Sequence, residues 1–273
     1  MDAYLVSHNG MGDNLYMVGA LNFIKQFYKN VYFLCKNKYY ENVRLFFDDK
    51  SNIICLPFNE ENECASIKTI LNYDKYANNN IDIFVCGCHK DYLNSKITNT
   101  DFLNYPKINK NYTIDYPPIT SNGIYSFIEN FYKDINLNLT YFYEYFYLAE
   151  TEISKQLFND VSKYYLVFIQ ATCSDGASLN ISNLTKKYIN DDKVLLICTD
   201  KNLYNKDNEK YYIAQKFVFN KLVNYVDTIK NSDEIYLIDS CFLGIVLPLL
   251  KTNQLKTKDV RIILRDDVDK YIL

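Results

Sequence analysis

Three short runs of residues in this 273-residue chain have the types and spacing to do chemistry. The first is His8-Asn9-Gly10-Met11-Gly12-Asp13-Asn14. Gly10 and Gly12 allow a sharp turn and the close approach of a ligand to backbone N–H groups. A helix that begins there directs its positive end at the same place. Asp13 in that position either takes a proton from a substrate hydroxyl or caps the helix through its orphan N–H groups. His8 is the rival base, because an unperturbed imidazole titrates near neutrality, although a histidine at a strand end is more often a structural hydrogen-bond partner. The second run, Gln170-Ala171-Thr172-Cys173-Ser174-Asp175-Gly176-Ala177-Ser178, places the hydroxyls of Thr172 and Ser174 and a flexible Gly176 ahead of a predicted helix. Such a loop can receive a diphosphate without a large cationic side chain. The third run, Asp239-Ser240-Cys241, sits where a strand gives way to a helix, again a phosphate-friendly place. Taken singly, each run also reads as a capped helix start.

Several familiar chemistries are excluded. A dinucleotide fingerprint fails because its third glycine is Leu15, and because Lys36-Asn37-Lys38 stands where an acidic ribose ligand belongs. Neither Gly10 nor Gly12 leads into the Gly-Lys-Ser/Thr of a P-loop. Cys86-Gly87-Cys88-His89 invites a metal, but no second cluster supplies the remaining ligands, so the expectation is a tight turn and no metal site. The eight cysteines, with Cys35, Cys55, Cys86 and Cys198 inside predicted strands, read as reduced core residues. A net charge of -3 disfavours nucleic acid as a partner. With no apolar run of about 18 residues and no signal peptide, a soluble, intracellular protein without a membrane span is expected.

The elements that must position the three runs come from periodicity. Strands at 3–7, 31–35, 53–56 and 81–86 alternate with helices at 14–28, 39–47 and 65–71. A helix is predicted at 121–132. The aromatic run at 141–148 reads as a strand or a buried helix turn, and the alternation of Tyr143, Tyr145 and Tyr147 with Glu144, Phe146 and Leu148 favours a strand that joins two halves. A second series comes next: helix 150–161, strand 164–169, a helix ending near 188, strands 194–198 and 211–214, helix 221–230, strand 234–238, helix 240–250 and strand 260–264. The expected fold class is α/β, with two Rossmann-like domains, residues 1–149 and 150–273, facing a central cleft. Ligands in such sheets bind beyond the carboxyl ends of the strands, where all three runs fall.

With this order of motifs the chain resembles the GT-B glycosyltransferases, and among them the heptosyltransferase-like group. The resemblance rests on Gly12-Asp13 in the first strand-to-helix turn, on the strand and loop at 167–176, and on Ile238-Asp239-Ser240 before a late helix. It departs at Cys241-Phe242-Leu243, where the family continues with Gly and then His, and at 172–178, which lack a phosphate-binding lysine. The resemblance implies an inverting, metal-independent glycosyltransferase without a cofactor, the nucleotide sugar being a co-substrate and a glycan or other hydroxyl compound the acceptor. It implies an acceptor-side first domain with Asp13 as general base. The second domain would hold the donor, its diphosphate met by Thr172, Ser174 and Ser240, with Gly10, Gly12, Gly176 and Asp239 as further donor- or phosphate-binding residues. Two other readings stand beside it: a catalytically inert nucleotide- or sugar-binding module, favoured by the missing late histidine and scarce arginine, and a nucleotide-sugar epimerase.

Overall fold

The computed structural model describes residues 1–7, 10–77, 81–87 and 123–273, and the chain divides into two units, Met1–Ala149 and Glu150–Leu273. In unit 1, strands β1 (Asp2–Val6), β2 (Val31–Lys36), β3 (Ile53–Phe58) and β4 (Ile81–Val85) form a parallel sheet in the order β3-β2-β1-β4. Period-two alternation sorts their side chains to two faces. Tyr4, Val6, Leu34, Phe58 and Val85 pack with Ile67 and Leu71 of the helix Glu63–Ala77, and Tyr4 stacks on its register neighbour Tyr32 at 4.7 Å. Ala3, Leu5 and Phe33 are buried as well, which leaves β1 and β2 covered on both faces, as parallel strands require.

The single helix predicted over 14–28 is two helices, Met11–Tyr16 and Val18–Ile24. The break has an identifiable cause. The hydroxyl of Tyr132, on the helix Gly123–Asp134, accepts the Ala20 N–H at 3.1 Å and donates to the Tyr16 carbonyl at 2.8 Å. It therefore stands inside the ladder where Ala20 would otherwise bond Tyr16, and both backbone groups stay paired. One residue before Ala20, Gly19 lets the second helix lie directly on the chain at Tyr141 and Phe142. A Cβ there would overlap the Tyr141 carbonyl oxygen and sit 2.8 Å from the Phe142 Cα.

That partner segment is the helix Thr140–Glu144, where tyrosine alternation predicts a strand. Tyr141 and Tyr145, four apart, both pack on Phe23, with ring centroids at 4.2 and 5.1 Å. The spacing that matters here is four, not two. The Asn22 amide donates to the carbonyls of Tyr145 and Tyr147 at 3.2 and 3.0 Å and so secures the exit from this helix.

In unit 2, strands β5 (Tyr165–Gln170), β6 (Val194–Cys198), β7 (Glu234–Ile238) and β8 (Val260–Ile263) form a parallel sheet in the order β6-β5-β7-β8. β6 and β7 are buried at every position. The helix Glu152–Val161 is capped by Thr151, whose hydroxyl accepts the Ser154 N–H at 3.0 Å. The strand predicted at 211–214 is the helix Tyr211–Gln215. Just before it, the buried Lys210 ammonium donates to the carbonyls of Asp191 and Val194 at 2.5 and 2.9 Å, which fixes the chain there and overrides the β-propensity of Tyr211, Tyr212 and Ile213. The predicted helix at 221–230 opens as a 3-10 turn, Leu222–Tyr225, and continues as Val226–Asn231.

At the amino edge of this sheet, Glu234 is only 6% exposed. Its carboxylate accepts the hydroxyls of Tyr188, Tyr236 and Tyr165 at 2.6, 2.7 and 2.9 Å. Burial pushes its pKa up, and the three hydroxyl bonds outweigh that and hold it below the ordinary carboxylate value. Among the described residues, no helix is long and apolar enough to cross a membrane.

Candidate functional site

In each sheet the place to look is the carboxyl edge where the strand order reverses. In unit 2 that point lies between β5 and β7, because β6 is added on one side of β5 and β7 on the other. Residues 171–178 come directly after β5, Asp239 and Ser240 after β7, while Asp200 lies just beyond β6 and Arg265 just beyond β8. Thr172, Ser174, Gly176, Asp239 and Ser240 are thus brought to one edge of one sheet.

The loop after β5 differs from its predicted form. It is a closed hairpin, not the opening of a helix, and the next helix, Ser182–Tyr188, begins only beyond it. The Cys173 N–H donates to the Ala177 carbonyl at 3.0 Å, the Gly176 N–H to the Cys173 carbonyl at 3.1 Å, and the Leu179 N–H to the Ala171 carbonyl at 2.8 Å. Gly176 takes a φ of 92°, a left-handed conformation that suits glycine. The Asp200 carboxylate accepts the N–H groups of Ala171 and Thr172 at 3.1 and 2.7 Å. Asp175 accepts the Ala177 N–H at 3.0 Å and the Cys173 thiol at 2.8 Å. These bonds consume backbone donors that a phosphate cradle would need. What the hairpin still presents is hydroxyls: Ser174 is exposed, and the Thr172 Oγ1 lies 3.4 Å from the Ser178 Oγ.

The late helix starts at Leu243, with Phe242 as its N-cap, and not at Ser240 as the pattern predicts. Residues 240–242 form a tighter turn, in which the Leu243 N–H donates to the Ser240 carbonyl at 3.1 Å. Ser240 is 7% exposed, and its Oγ is buried with no hydrogen-bond partner among the described residues. A buried polar atom left unpaired costs about 1–3 kcal/mol, so it calls for an explanation. Beside it in sequence, the Asp239 carbonyl accepts Arg265 Nε at 2.9 Å, and Arg265 Nη1 donates to Asp175 Oδ2 at 3.1 Å.

Arg265, like Asp200, is a residue of this candidate site that sequence reasoning missed. Residues 172–178 carry no lysine or arginine of their own, and the cation that bonds this loop lies 90 positions after Asp175. Its signal in the sequence is position: Arg265 is the first charged residue beyond the carboxyl end of β8, as Asp200 is beyond β6. Burial works against the Arg265 charge, but the Cys173, Asp239 and Asp175 groups outweigh it and raise its pKa. Asp175 is held down to about 2 by its bonds from Cys173, Ala177 and Arg265. Burial, with the nearby Asp200 charge, pushes the Cys241 thiol up to about 12, which makes it a poor nucleophile.

In unit 1 the order reverses between β1 and β4. His8 comes after β1 but lies outside the described residues, as do Cys88 and His89 after β4. Gly10 is the N-cap of the helix Met11–Tyr16, with φ −91° and ψ 164°, and Gly12 lies inside that helix. Neither glycine takes a positive φ. Gly10 serves a close approach instead: Asp13 Oδ2 accepts its N–H at 2.7 Å, and a Cβ on Gly10 would meet the same oxygen at 2.7 Å. Asp13 is therefore the third helical residue, reaching back to the N-cap as in a capping box. Asn14, buried, donates its amide to the Gly10 carbonyl at 2.7 Å, and its Oδ1 has no partner among the described residues. Among the described residues no group of three or more His, Cys, Asp or Glu is placed to hold a metal.

No protein-family model matches the chain, and no curated protein matches its sequence. Solved structures do match its backbone. E. coli ADP-heptose lps heptosyltransferase II gives a TM-score of 0.55 at 12% identity, over 96% of this chain and 90% of that one. The glycosyl transferase family 9 structure from Veillonella parvula DSM 2008 gives 0.57 at 10% identity, over 96% and 79%. E. coli heptosyltransferase WaaC with ADP-2-deoxy-2-fluoro heptose gives 0.50 at 10% identity, over 100% and 99%. The chain thus has the α/β, GT-B-like fold seen in the heptosyltransferases.

Proposed function

We propose that this protein is an inverting, metal-independent glycosyltransferase that moves a sugar from a nucleotide-sugar donor to a hydroxyl acceptor. The observation that carries the reading is Ser240: a buried hydroxyl without a protein partner among the described residues, at the switch point of unit 2, in a fold shared with enzymes of that class. In the proposed step the acceptor oxygen forms a bond to the anomeric carbon while the bond from that carbon to the diphosphate breaks. Asp13 takes the acceptor proton, and the departing charge is met by Ser240 with the hydroxyls of Thr172 and Ser174. A carboxylate accepts several hydrogen bonds, so the Gly10 N–H orients Asp13 without using up its capacity. Because the neighbouring structures are an ADP-heptose heptosyltransferase and one with an ADP-heptose analogue, ADP-sugars are the first donors to test. The bond from Gly10 to Asp13 also favours a second reading, an inert nucleotide- or sugar-binding module in which Asp13 only caps its helix.

Asp13→Asn separates the two. Asparagine keeps an acceptor oxygen for the Gly10 N–H, so melting temperature and nucleotide binding should hold while turnover falls by about 10²-fold or more. Full activity in the variant would remove Asp13 as base and move the role to His8. Wild-type protein that binds nucleotides but transfers from no ADP-, UDP-, GDP- or CDP-sugar would establish the binding module. Transfer should also persist in excess chelator, and activity that returns only with manganese would overturn the metal-independent step.

A further inference from the structure

The proposed donor site has a cation with an occupant of its own. Arg265 is fixed at one end, where Nε donates to the Asp239 carbonyl next to Ser240, and at the other end Nη1 donates to Asp175 Oδ2. Asp175 divides its work between its two oxygens. Oδ1 holds the hairpin together, accepting the Ala177 N–H and the Cys173 thiol, and only Oδ2 reaches Arg265. Releasing Arg265 therefore leaves the hairpin's own bonds in place. Both side chains are well exposed, 38% for Arg265 and 52% for Asp175. An ion pair in such water contact is weak and readily exchanged. A guanidinium, by contrast, binds phosphate oxygens through two parallel N–H bonds, which one carboxylate oxygen on one nitrogen does not match.

We infer that Arg265 is the cation that receives the donor's diphosphate, and that Asp175 Oδ2 is a resident placeholder which the diphosphate displaces. The inference rests on the donor-site reading of unit 2. The placeholder explains how a positive charge can be held at Asp239, the residue before Ser240. It also sets a specificity: a ligand must carry enough negative charge to take Arg265 from Asp175, which favours a diphosphate over a neutral sugar. Removing the acid should then tighten anion binding, whereas a purely structural ion pair would lose its loop and bind more weakly.

The test is calorimetric titration of inorganic pyrophosphate and of ADP, UDP, GDP and CDP into wild-type protein, Asp175→Asn, Arg265→Gln and the double variant. Asp175→Asn should bind the anions about two- to five-fold more tightly, the range expected for releasing one exposed pair. Arg265→Gln should bind about ten-fold more weakly or worse, as expected on losing a charged hydrogen bond. The double variant should bind no more tightly than Arg265→Gln, because the gain needs the guanidinium. Asp175→Asn binding no better than wild type overturns the placeholder, and unchanged binding by Arg265→Gln overturns the cation. The two readings fail separately. Nucleotides that bind all four proteins alike keep the donor site and sink this inference. Pyrophosphate that obeys the expected order while no nucleoside diphosphate binds keeps the Asp175 placeholder and sinks the donor site. No binding of any probe to any variant sinks both.

Discussion

The two units place polar groups at the same kind of point, the carboxyl edge where a parallel sheet reverses its order, yet among the described residues only unit 2 has a cation there as well. Unit 1 offers acceptors. Asp13 is a carboxylate, and the buried Asn14 turns its amide nitrogen to the Gly10 carbonyl, so the atom left over is an oxygen. Unit 2 adds donors beside its own carboxylates: the guanidinium of Arg265 and the buried Ser240 hydroxyl, which can donate as well as accept. An array of acceptors complements a hydroxyl compound, and an array of donors complements a phosphate. On the proposed reading, the switch point is where a ligand would sit, and the leftover atoms set the kind it would be.

This contrast can be broken from either side. The largest effect expected is on the framework of unit 1: Gly19→Ala forces a methyl into the backbone at Tyr141 and Phe142 and should cost about 3 kcal/mol. Hydrogen exchange should then show lost protection in β1 and β2 with β6 and β7 unchanged, and an unaltered denaturation midpoint would refute the close contact. Tyr132→Phe strips the hydroxyl from the helix break, removes its bonds to the Ala20 N–H and the Tyr16 carbonyl, and should cost about 1–3 kcal/mol in the same measurement. Ser240→Ala sharpens the donor side. It should weaken ADP binding by about ten-fold, or roughly 1.4 kcal/mol, while leaving the melting temperature unchanged or higher, since an unpaired buried hydroxyl is removed. Unchanged affinity would strike Ser240 from the site.

The smallest effect lies at the opposite edge of unit 2. Because its folded pKa is lowered, ionised Glu234 contributes stability that is present above the ordinary carboxylate range and lost as pH falls through the folded value. Glu234→Gln should therefore be less stable than wild type by about 1 kcal/mol at neutral pH, and the gap should close on acidification. A gap that is constant down to acid pH would show that the three tyrosines recognise shape and not charge.

Continuous apolar runs were the most legible part of the sequence. Strands 194–198 and 234–238 are found at those bounds, because a strand buried on both faces has few other uses for five consecutive apolar or shielded residues. Aromatic-rich segments misled. At 141–148 tyrosines alternate like a strand but pack on Phe23 with helical spacing, and at 211–214 the buried Lys210 decides the local structure. The helix break at Met17 was invisible because its cause, Tyr132, lies on another helix. The carboxyl-edge placement of Asp239 and Ser240 was legible, since both come directly after a strand end. Arg265 and the closed state of the 171–178 hairpin were not, because each depends on side-chain bonds between segments distant in sequence.

The Tyr132 hydroxyl also bears on where Asp13 can point. A helix of six residues has no stability of its own in water, so the orientation of Met11–Tyr16 must be supplied from outside it. Its carboxyl end is supplied by a phenol 116 positions further along the chain. A fragment cut after β4 would retain every strand of the first sheet and the Asp13 carboxylate itself, and would lose the clamp that aims it. The working unit for the proposed base is therefore longer than the sheet that carries it, and attempts to graft or minimise this half of the protein must carry the helix Gly123–Asp134 along.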